Sequence, residues 1–256
     1  MRAYLDSSGK PERKHGYLTL AAVAANDDKW KQFEIDWKSI LIHHDPPAEY
    51  IHMREVLRLI DGFDPSLGWD IKSAIDAVYQ CISYMSHMDK KSIRIFYCSV
   101  DLEAWRKLRT ETYQMPDPVD ICNTFCSEQV VGWHLISAPV ILDTETDKLS
   151  YFFDRSEPFE PRFRERWNLE RDLSKKLGTT TIWDMITDIG PVAMEDTPGV
   201  QAADIIAWAR NRETFKKPGD IGHELAQQIL QVIPSYSIVW DEEKLRQQYR
   251  PLIYGP

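Results

Sequence analysis

Three short apolar runs along the chain each stop on an aspartate. They span residues 2–6, 93–101 and 149–154 and end at Asp6, Asp101 and Asp154. Each run is rich in aromatic and branched residues, which is typical of a buried strand. If the three strands lie parallel, their carboxyl ends share one edge of a sheet, which is where open α/β sheets place their sites.

The remaining pattern predicts further strands alternating with helices. Residues 16–25 read as a returning strand, so the chain opens with a hairpin. Apolar stretches predict three more short strands, over residues 49–52, 180–185 and 238–240. Helical spacing predicts helices over residues 29–42, 69–88, 102–108, 120–137, 158–177, around Asp204, 223–232 and 241–249. This alternation predicts an α/β fold in one domain, residues 1–256, with a C-terminal helical extension over about 214–256.

The helix around Asp204 is predicted to be buried. From Val200 to Ala209 every residue is apolar except Gln201 and Asp204, so apolar side chains surround the whole helix. A lone carboxylate in such a place costs several kcal/mol unless something compensates its charge. One compensation is a salt bridge with Arg210 or Arg212, and the other is a bound cation.

The predicted meeting of several aspartates favours a bound cation over a salt bridge. Carboxylates that converge repel one another unless a positive ion lies among them, so Asp6, Asp101, Asp154 and Asp204 together predict a metal site. Each residue also has a purely structural alternative. Asp6 suits an Asx-turn into Ser7, Asp101 suits the cap of the helix that follows it, and Asp154 has capping-box spacing to Glu157.

Composition is compatible with a globular enzyme. Hydrophobic residues make up 43% of the 256 residues and charged residues 28%. Neither a run long enough to span a bilayer nor a signal-peptide pattern is found, so no membrane association is expected and the cytoplasm is the expected location. The four cysteines lack zinc-ligand spacing and are expected to be reduced core thiols.

The negative net charge argues against a protein that binds nucleic acid over its whole surface, but it permits a local group of basic residues. The chain has 40 acidic and 31 basic residues, for a net charge of −9, whereas phosphate neutralisation drives nucleic-acid binding. Arg210 and Arg212 follow Asp204 on its own helix, so this basic group is a candidate for steering a phosphate backbone. We expect these arginines, with Gln201, to contact substrate.

Four motifs between residues 4 and 208 resemble the domain-of-unknown-function family 3800, which is grouped with the ribonuclease-H-like superfamily. They are Tyr4-Leu-Asp6-Ser-Ser-Gly9, Ile51-His52-Met53 before Glu55, Phe153-Asp154-Arg-Ser-Glu157, and Gly199-Val-Gln-Ala-Ala-Asp204-Ile-Ile-Ala-Trp208. The Gln-Ala-Ala-Asp helix is the most specific of them. The resemblance implies a ribonuclease-H-like mixed sheet of about five strands, with an opening hairpin, then parallel strands, and helices on both faces.

The resemblance also implies phosphodiester chemistry that depends on Mg²⁺ or Mn²⁺, with nucleic acid as the substrate. Asp6 would bridge two ions, Asp154 and Asp204 would each hold one, and Asp101 or Glu195 would complete a shell. Hard oxygen ligands favour these ions over zinc. His52 would shuttle a proton or orient a phosphate. DNA, RNA and nucleotide substrates stay open, as does the oligomeric state.

The opening motif departs from the family pattern, because Ser7 stands where a glutamate usually follows the first aspartate. Glu195 or Asp196 is the expected substitute if that glutamate binds metal. The departure also keeps open a degenerate ribonuclease-H-like module that binds a partner or nucleic acid without catalysis. A further alternative places the metal on His43, His44, Asp45 and His52.

Overall fold

The computed structural model describes residues 1–89, 91–112, 114–137, 148–155, 157–179, 181–214 and 219–254. Strands are β1 (Arg2–Ser8), β2 (Tyr17–Ala25), β3 (Ile93–Asp101), β4 (Leu149–Asp154), β5 (Ile186–Val192) and β6 (Tyr236–Trp240). Helices are α1 (Asp27–Ile42), α2 (Met53–Arg58), α3 (Ile71–His87), α4 (Leu102–Glu111), α5 (Pro118–Ser137), α6 (Phe159–Leu177), α7 (Pro198–Glu213), α8 (Ile221–Val232), α9 (Glu242–Gln248) and α10 (Arg250–Tyr254).

One mixed sheet organises these elements, with the strand order β5-β4-β1-β2-β3-β6. The opening hairpin pairs β1 with β2 antiparallel, and β3 pairs antiparallel with β2 on its other side. The later strands β4, β5 and β6 each join in parallel pairs. The predicted α/β class is therefore confirmed, with an opening hairpin followed by parallel strands and with six strands where about five were expected.

Alternating side chains divide the interior into two layers, one on each face of the sheet. Tyr4 belongs to the layer that α1, α2, α3, α7 and α8 cover, which we call the α7 face. Leu5, its neighbour in the strand, belongs to the layer under α4, α5, α6 and α9, which we call the α5 face. Because successive side chains of a strand point to opposite faces, Asp6 lies on the α7 face with Tyr4.

Helix α7 approaches β1 unusually closely because Gly199 has no side chain. A Cβ atom on Gly199 would lie 2.3 Å from the ring of Tyr4, which is far inside van der Waals contact. The helix starts at Pro198, and proline is well suited to the first helical position because it has no N–H to satisfy. Twelve of its sixteen residues are buried, as the all-apolar sequence predicts.

Two predicted strands are wrong and a third is confirmed. Residues 49–52 form no strand; they lead into the short helix α2, which the apolar pattern did not reveal. Residues 182–185 form a 3₁₀ helix capped by Thr181, and the strand begins only at Ile186. The strand predicted over residues 238–240 is present as β6, which pairs parallel with β3.

No helix in the described ranges is both long and apolar enough to cross a membrane. Cys81, Cys98, Cys122 and Cys126 are all buried free thiols, in agreement with their expected role as reduced core residues.

Candidate functional site

Asp6 and Asp154 lie side by side at the carboxyl ends of two neighbouring strands. Leu5 of β1 pairs with Phe153 of β4, so the next residues in this parallel register are the two aspartates. Adjacent strands are about 4.8 Å apart, and residues in parallel register point to the same face. The ring of Tyr4 stacks on that of Phe152, which confirms that both strands present these positions to the α7 face.

Asp204 is held against this pair from above by α7. Its side chain is 6% exposed, and its Oδ2 atom accepts a hydrogen bond of 2.7 Å from the backbone amide of Met53. That bond ties α7 to the start of α2, although the two residues are 151 positions apart. The alternative in which Arg210 or Arg212 neutralises Asp204 is wrong, because these arginines pair with Glu213 and Asp220.

Glu157 is a fourth carboxyl of the cluster, and it was absent from the predicted site. It follows β4 by three residues, and its backbone amide donates to the carbonyl of Asp154. Both the hydroxyl and the amide of Ser7 donate to its carboxylate, while its Oε2 atom is buried without a hydrogen-bond partner. Ser7 therefore supports a carboxylate that comes from the segment after β4. The motif Asp154-Arg-Ser-Glu157 was the available signal.

Burial and mutual repulsion make these carboxyls weak acids. The pKa of Asp6 is raised well above its usual value, first by burial and then by the charges of Asp204, Glu157 and Asp154. Burial also raises the pKa of Glu157 and of Asp204. Hydrogen bonding with Asp6 opposes the rise at both of those groups. Of the three carboxyls, Asp6 is the one whose pKa is raised well above its usual value.

His52 stands beside Asp204 at the end of a short polar chain. The electrostatic interaction with His52 lowers the pKa of Asp204, opposing the effect of burial. The Nδ1 atom of His52 lies 3.1 Å from Glu55 Oε1, and the hydroxyl of Tyr50 donates to Glu55 Oε2 at 2.8 Å. Glu55 is buried, and its contact fixes one ring nitrogen of His52.

Asp101, one of the two expected additional ligands, lies elsewhere. Asp101 is level with Tyr17 of β2, whereas Asp6 is level with Ala21, so Asp101 is displaced by four residues, about 13 Å, along the strand direction. Its carboxylate accepts the amides of Glu103 and Ala104 as the N-cap of α4, which is the alternative role foreseen for it. Glu195 is exposed in the turn before α7, where its charge acts on Tyr50.

Gln201 and Arg210 do not face a cleft. Gln201 is 1% exposed; its Oε1 atom accepts from the Trp37 indole and the Ile51 amide, and its amide group donates to the Met194 carbonyl. These bonds fix the segment before α2. The buried position of Gln201 therefore does not support direct contact with a substrate. Arg210 pairs with Glu213 and lies over the ring of Tyr97. It follows Asp204 by six residues, about 240° around the helix.

The lining of a basic cleft of 670 Å³ includes Met53, whose backbone amide bonds to Asp204 of the carboxyl cluster. One wall is the turn after β1 (Ser8, Gly9, Lys10 and Arg13), the other is α2 (Met53, Arg54, Leu57 and Arg58), and the floor is α7 (Trp208, Asn211 and Arg212). Five of the lining residues are basic and, within the described ranges, none is acidic. Of these five, only Arg212 forms an ion pair with a described acid, Asp220.

The β1–β2 turn is fastened to α7 by one buried amide. Asn211 donates through Nδ2 to the carbonyls of Ser8 (3.0 Å) and Tyr17 (2.7 Å), the two ends of the turn. Gly9 has a φ of +98°, and a Cβ there would lie 2.2 Å from the Tyr17 carbonyl oxygen. Only glycine fits this conformation, so the wall and the floor of the cleft keep a fixed relation.

The donor chemistry of the cluster fits a hard divalent cation. Asp6, Asp154, Asp204 and Glu157 offer carboxylate oxygens, the ligands that Mg²⁺ and Mn²⁺ prefer, and Glu157 Oε2 has no other partner. As the side chains stand in the described ranges, no three His, Cys, Asp or Glu residues are placed to hold a metal ion. Binding would therefore require the carboxyls to be ionised and at least one of them to turn.

The alternative histidine site is not assembled. His43 bonds to the carbonyl of Ser39, His44 bonds to the carbonyl of Pro46 and to Asp76, and His52 bonds to Glu55. His44 is buried with its ring stacked on Trp69, which is a structural role.

No family model matches the chain, and no curated protein matches it. Among solved structures, a chain from the PCNA:RNase HII complex of Archaeoglobus fulgidus aligns with 92% of this chain and 90% of its own, at 15% identity and a TM-score of 0.38. A likeness this distant carries no argument about activity, and the resemblance to family 3800 stays a prediction from the motifs.

Proposed function

We propose that the protein is a metal-dependent phosphodiester hydrolase of the ribonuclease-H-like type, related to domain-of-unknown-function family 3800, that acts on nucleic acid. The observation that supports it most is the meeting of Asp6, Asp154, Glu157 and Asp204 at one edge of the sheet. Purely structural aspartates would be capped or salt-bridged one by one. Here three of them interact with one another, and a buried oxygen of Glu157 has no partner.

Asp6, Asp154, Asp204 and Glu157 are the residues that would hold Mg²⁺ or Mn²⁺. When bound, such an ion supplies Lewis-acid activation of a phosphoryl oxygen and lowers the pKa of a bound water. Ser7 orients Glu157 through its hydroxyl and amide, and the Met53 amide orients Asp204. These contacts hold Glu157 and Asp204 within the cluster before a ligand arrives.

The residues of the basic cleft would bind the substrate, and His52 would carry a proton. The basic cleft attracts the phosphate backbone electrostatically and opens next to the carboxyls, because Ser8 follows Asp6 by two residues. His52, which is held by Glu55 and is partly exposed, would carry a proton to or from a reacting oxygen. Arg212 lines the cleft and is the one arginine of its predicted pair that would contact substrate.

The direct test is a cleavage screen with Asp204→Asn. We expect the wild-type protein to cleave single- or double-stranded DNA, RNA or hybrid with Mg²⁺ or Mn²⁺ and not with chelator. Asp204→Asn should lower the rate at least about a hundredfold, the scale of losing a group that stabilises the transition state, without unfolding the protein. The control is Asp172→Asn, an exposed residue of α6 on the opposite face of the sheet. Full activity of Asp204→Asn at unchanged metal demand would refute the proposal.

A non-catalytic module is the second candidate, and one observation favours it: no set of three described ligands is ready to hold a metal. Calorimetric titration with Mn²⁺ separates the two candidates. A hydrolase should take up the ion with release of protons, since ligating carboxyls must deprotonate, and Asp6→Asn should weaken that uptake. A degenerate module should show no uptake that depends on these acids.

A further inference from the structure

The basic cleft has cations on both of its walls. Lys10 and Arg13 stand on the β1–β2 turn, while Arg54 and Arg58 stand on α2, and all four side chains are exposed. None of the four forms an ion pair with an acid in the described part of the chain, although the protein as a whole carries a net charge of −9. Cations that face each other across a gap suit a single polyanionic strand lying between them.

The lining of the cleft includes three apolar side chains, one of which is an indole. Met53, Leu57 and Trp208 contribute the apolar part of the lining, and Trp208 is only partly buried. Trp208 follows Asp204 by four residues, which places it about 6 Å further along α7 and about 40° around the helix axis. An aromatic surface in a basic groove is the arrangement that binds unpaired bases, because every base can stack on an aromatic ring.

From this geometry we propose that the basic cleft binds an unpaired stretch of nucleic acid. The backbone lies between the turn and α2, and one base stacks on Trp208. The cleft volume of 670 Å³ is that of a small-ligand pocket, with room for about one or two nucleotides. A paired helix presents its bases edge-on in the grooves, so its base faces are not available to Trp208.

The proposal deepens the proposed hydrolase function by naming its substrate class, and it places an unpaired strand next to the carboxyl cluster. Asn211 and Gly9 hold the turn against α7, so the groove is formed before a ligand binds. Its walls and floor come from the first strand, from α2 and from α7, the elements that also carry Asp6, His52 and Asp204.

Fluorescence anisotropy with labelled oligonucleotides in chelator tests the proposal. The probes are single-stranded DNA, single-stranded RNA and the DNA duplex, all of one sequence and length. We expect at least tenfold tighter binding of one of the single strands than of the duplex. Trp208→Ala should weaken single-strand binding about tenfold, and Trp208→Phe should retain most of it, because stacking needs an aromatic ring and not an indole.

The charged walls are tested by Arg54→Ala/Arg58→Ala, which should weaken binding and reduce the slope of log affinity against log salt concentration. Its matched control is Lys175→Ala/Lys176→Ala, which removes the same charge from exposed residues at the end of α6, on the opposite face of the sheet. Equal effects of the two double variants would overturn the assignment of the cleft. So would duplex binding as tight as single-strand binding, or an unchanged affinity of Trp208→Ala.

Failure of this inference and failure of the hydrolase proposal are distinguishable, because binding is measured without metal. Cleft-dependent binding of single strands that no metal converts to cleavage would refute the hydrolase and leave the cleft assigned. Metal-dependent cleavage of a duplex that Trp208→Ala does not slow would refute the single-strand cleft and leave the hydrolase intact.

Discussion

At the scale of single residues, Ser7 and Glu157 form one functional pair. Position 7 has no carboxylate, but its hydroxyl and amide both donate to Glu157, which brings a carboxylate from beyond β4 into the same place. Neither Glu195 nor Asp196 fills this position, since both are exposed in the turn before α7. Glu157, which lies just beyond β4, thus supplies the carboxylate that position 7 lacks.

The raised pKa of Asp6 has a consequence for stability that depends on pH. A carboxyl whose pKa is higher in the folded than in the unfolded protein stabilises the fold fully below the unfolded value, here 3.8, and this contribution is lost as pH rises through the folded value. Metal-free protein should therefore lose stability between about pH 4 and the raised pKa of Asp6. Burial is the main cause, and the neighbouring acids add to it.

Asp6→Asn removes the ionisation and should reverse this loss. We expect the variant in chelator to exceed wild type by about 1–3 kcal/mol in free energy of unfolding at pH 8, with little difference at pH 4, as urea titrations would measure. Asp172→Asn, an exposed acid far from the cluster, should leave the pH dependence unchanged. If Asp6→Asn were equally or more destabilised at pH 8 than at pH 4, Asp6 would not be the protonated carboxyl.

At the scale of elements, segments with a strong hydrophobic pattern were predictable from the sequence. Segments whose backbone is held by long-range hydrogen bonds were not. The aspartate-ended strands and the buried helix α7 followed from unbroken apolar runs, which report burial directly. Residues 49–52 fail as a strand because their backbone serves other elements: the Ile51 amide bonds to Gln201 and the Met53 amide to Asp204. Such long-range bonds leave no periodic signal. The cleft escaped prediction for the same reason, since its two walls are about forty residues apart in the chain.

The packing of α7 on β1 depends on Gly199 and can be tested with a matched pair of glycines. Gly199→Ala places a Cβ 2.3 Å from the Tyr4 ring, so the helix must shift away from β1. We expect a loss of about 1–3 kcal/mol in free energy of unfolding, typical of overpacking a core, together with lower activity because Asp204 moves with the helix.

The control is Gly132→Ala in α5, another helical glycine, where a Cβ would have nothing within 4 Å. This change should be neutral or stabilising by up to about 1 kcal/mol, since alanine is the better helix former. Similar destabilisation of both variants in thermal unfolding would mean that the close approach of α7 to β1 does not hold the helix in place.

At the scale of the whole molecule, the charges are segregated. Five basic residues line one cleft with no described acid among them, while acids outnumber bases by 40 to 31 over the whole chain. Asp6 and Asp204 of the carboxyl cluster are buried, so salt screens the repulsion between them much less than it screens repulsion between surface charges. A divalent ion is the ligand that would relieve this repulsion most.

Adding Mg²⁺ or Mn²⁺ should therefore stabilise the intact protein. At a free ion concentration of 100 times Kd the gain is about 2.7 kcal/mol, which corresponds to a rise in Tm of roughly 5–10 °C for a chain of this size. Differential scanning calorimetry at pH 8 would measure it, with NaCl at equal ionic strength as the control. The rise should be absent in Asp204→Asn. An equal rise in that variant would place any bound ion outside the carboxyl cluster.

The late position of α7 in the chain has a consequence for biosynthesis. The meander of β1, β2 and β3 is complete by residue 101, but the part of its α7 face against which α7 packs is not covered until residues 198–213 have left the ribosome. Nascent chains would pass through a stage with exposed apolar surface, the kind of species that chaperones bind. Truncated products that stop before Pro198 should accordingly aggregate or be degraded, and they would lack the last acid of the cluster.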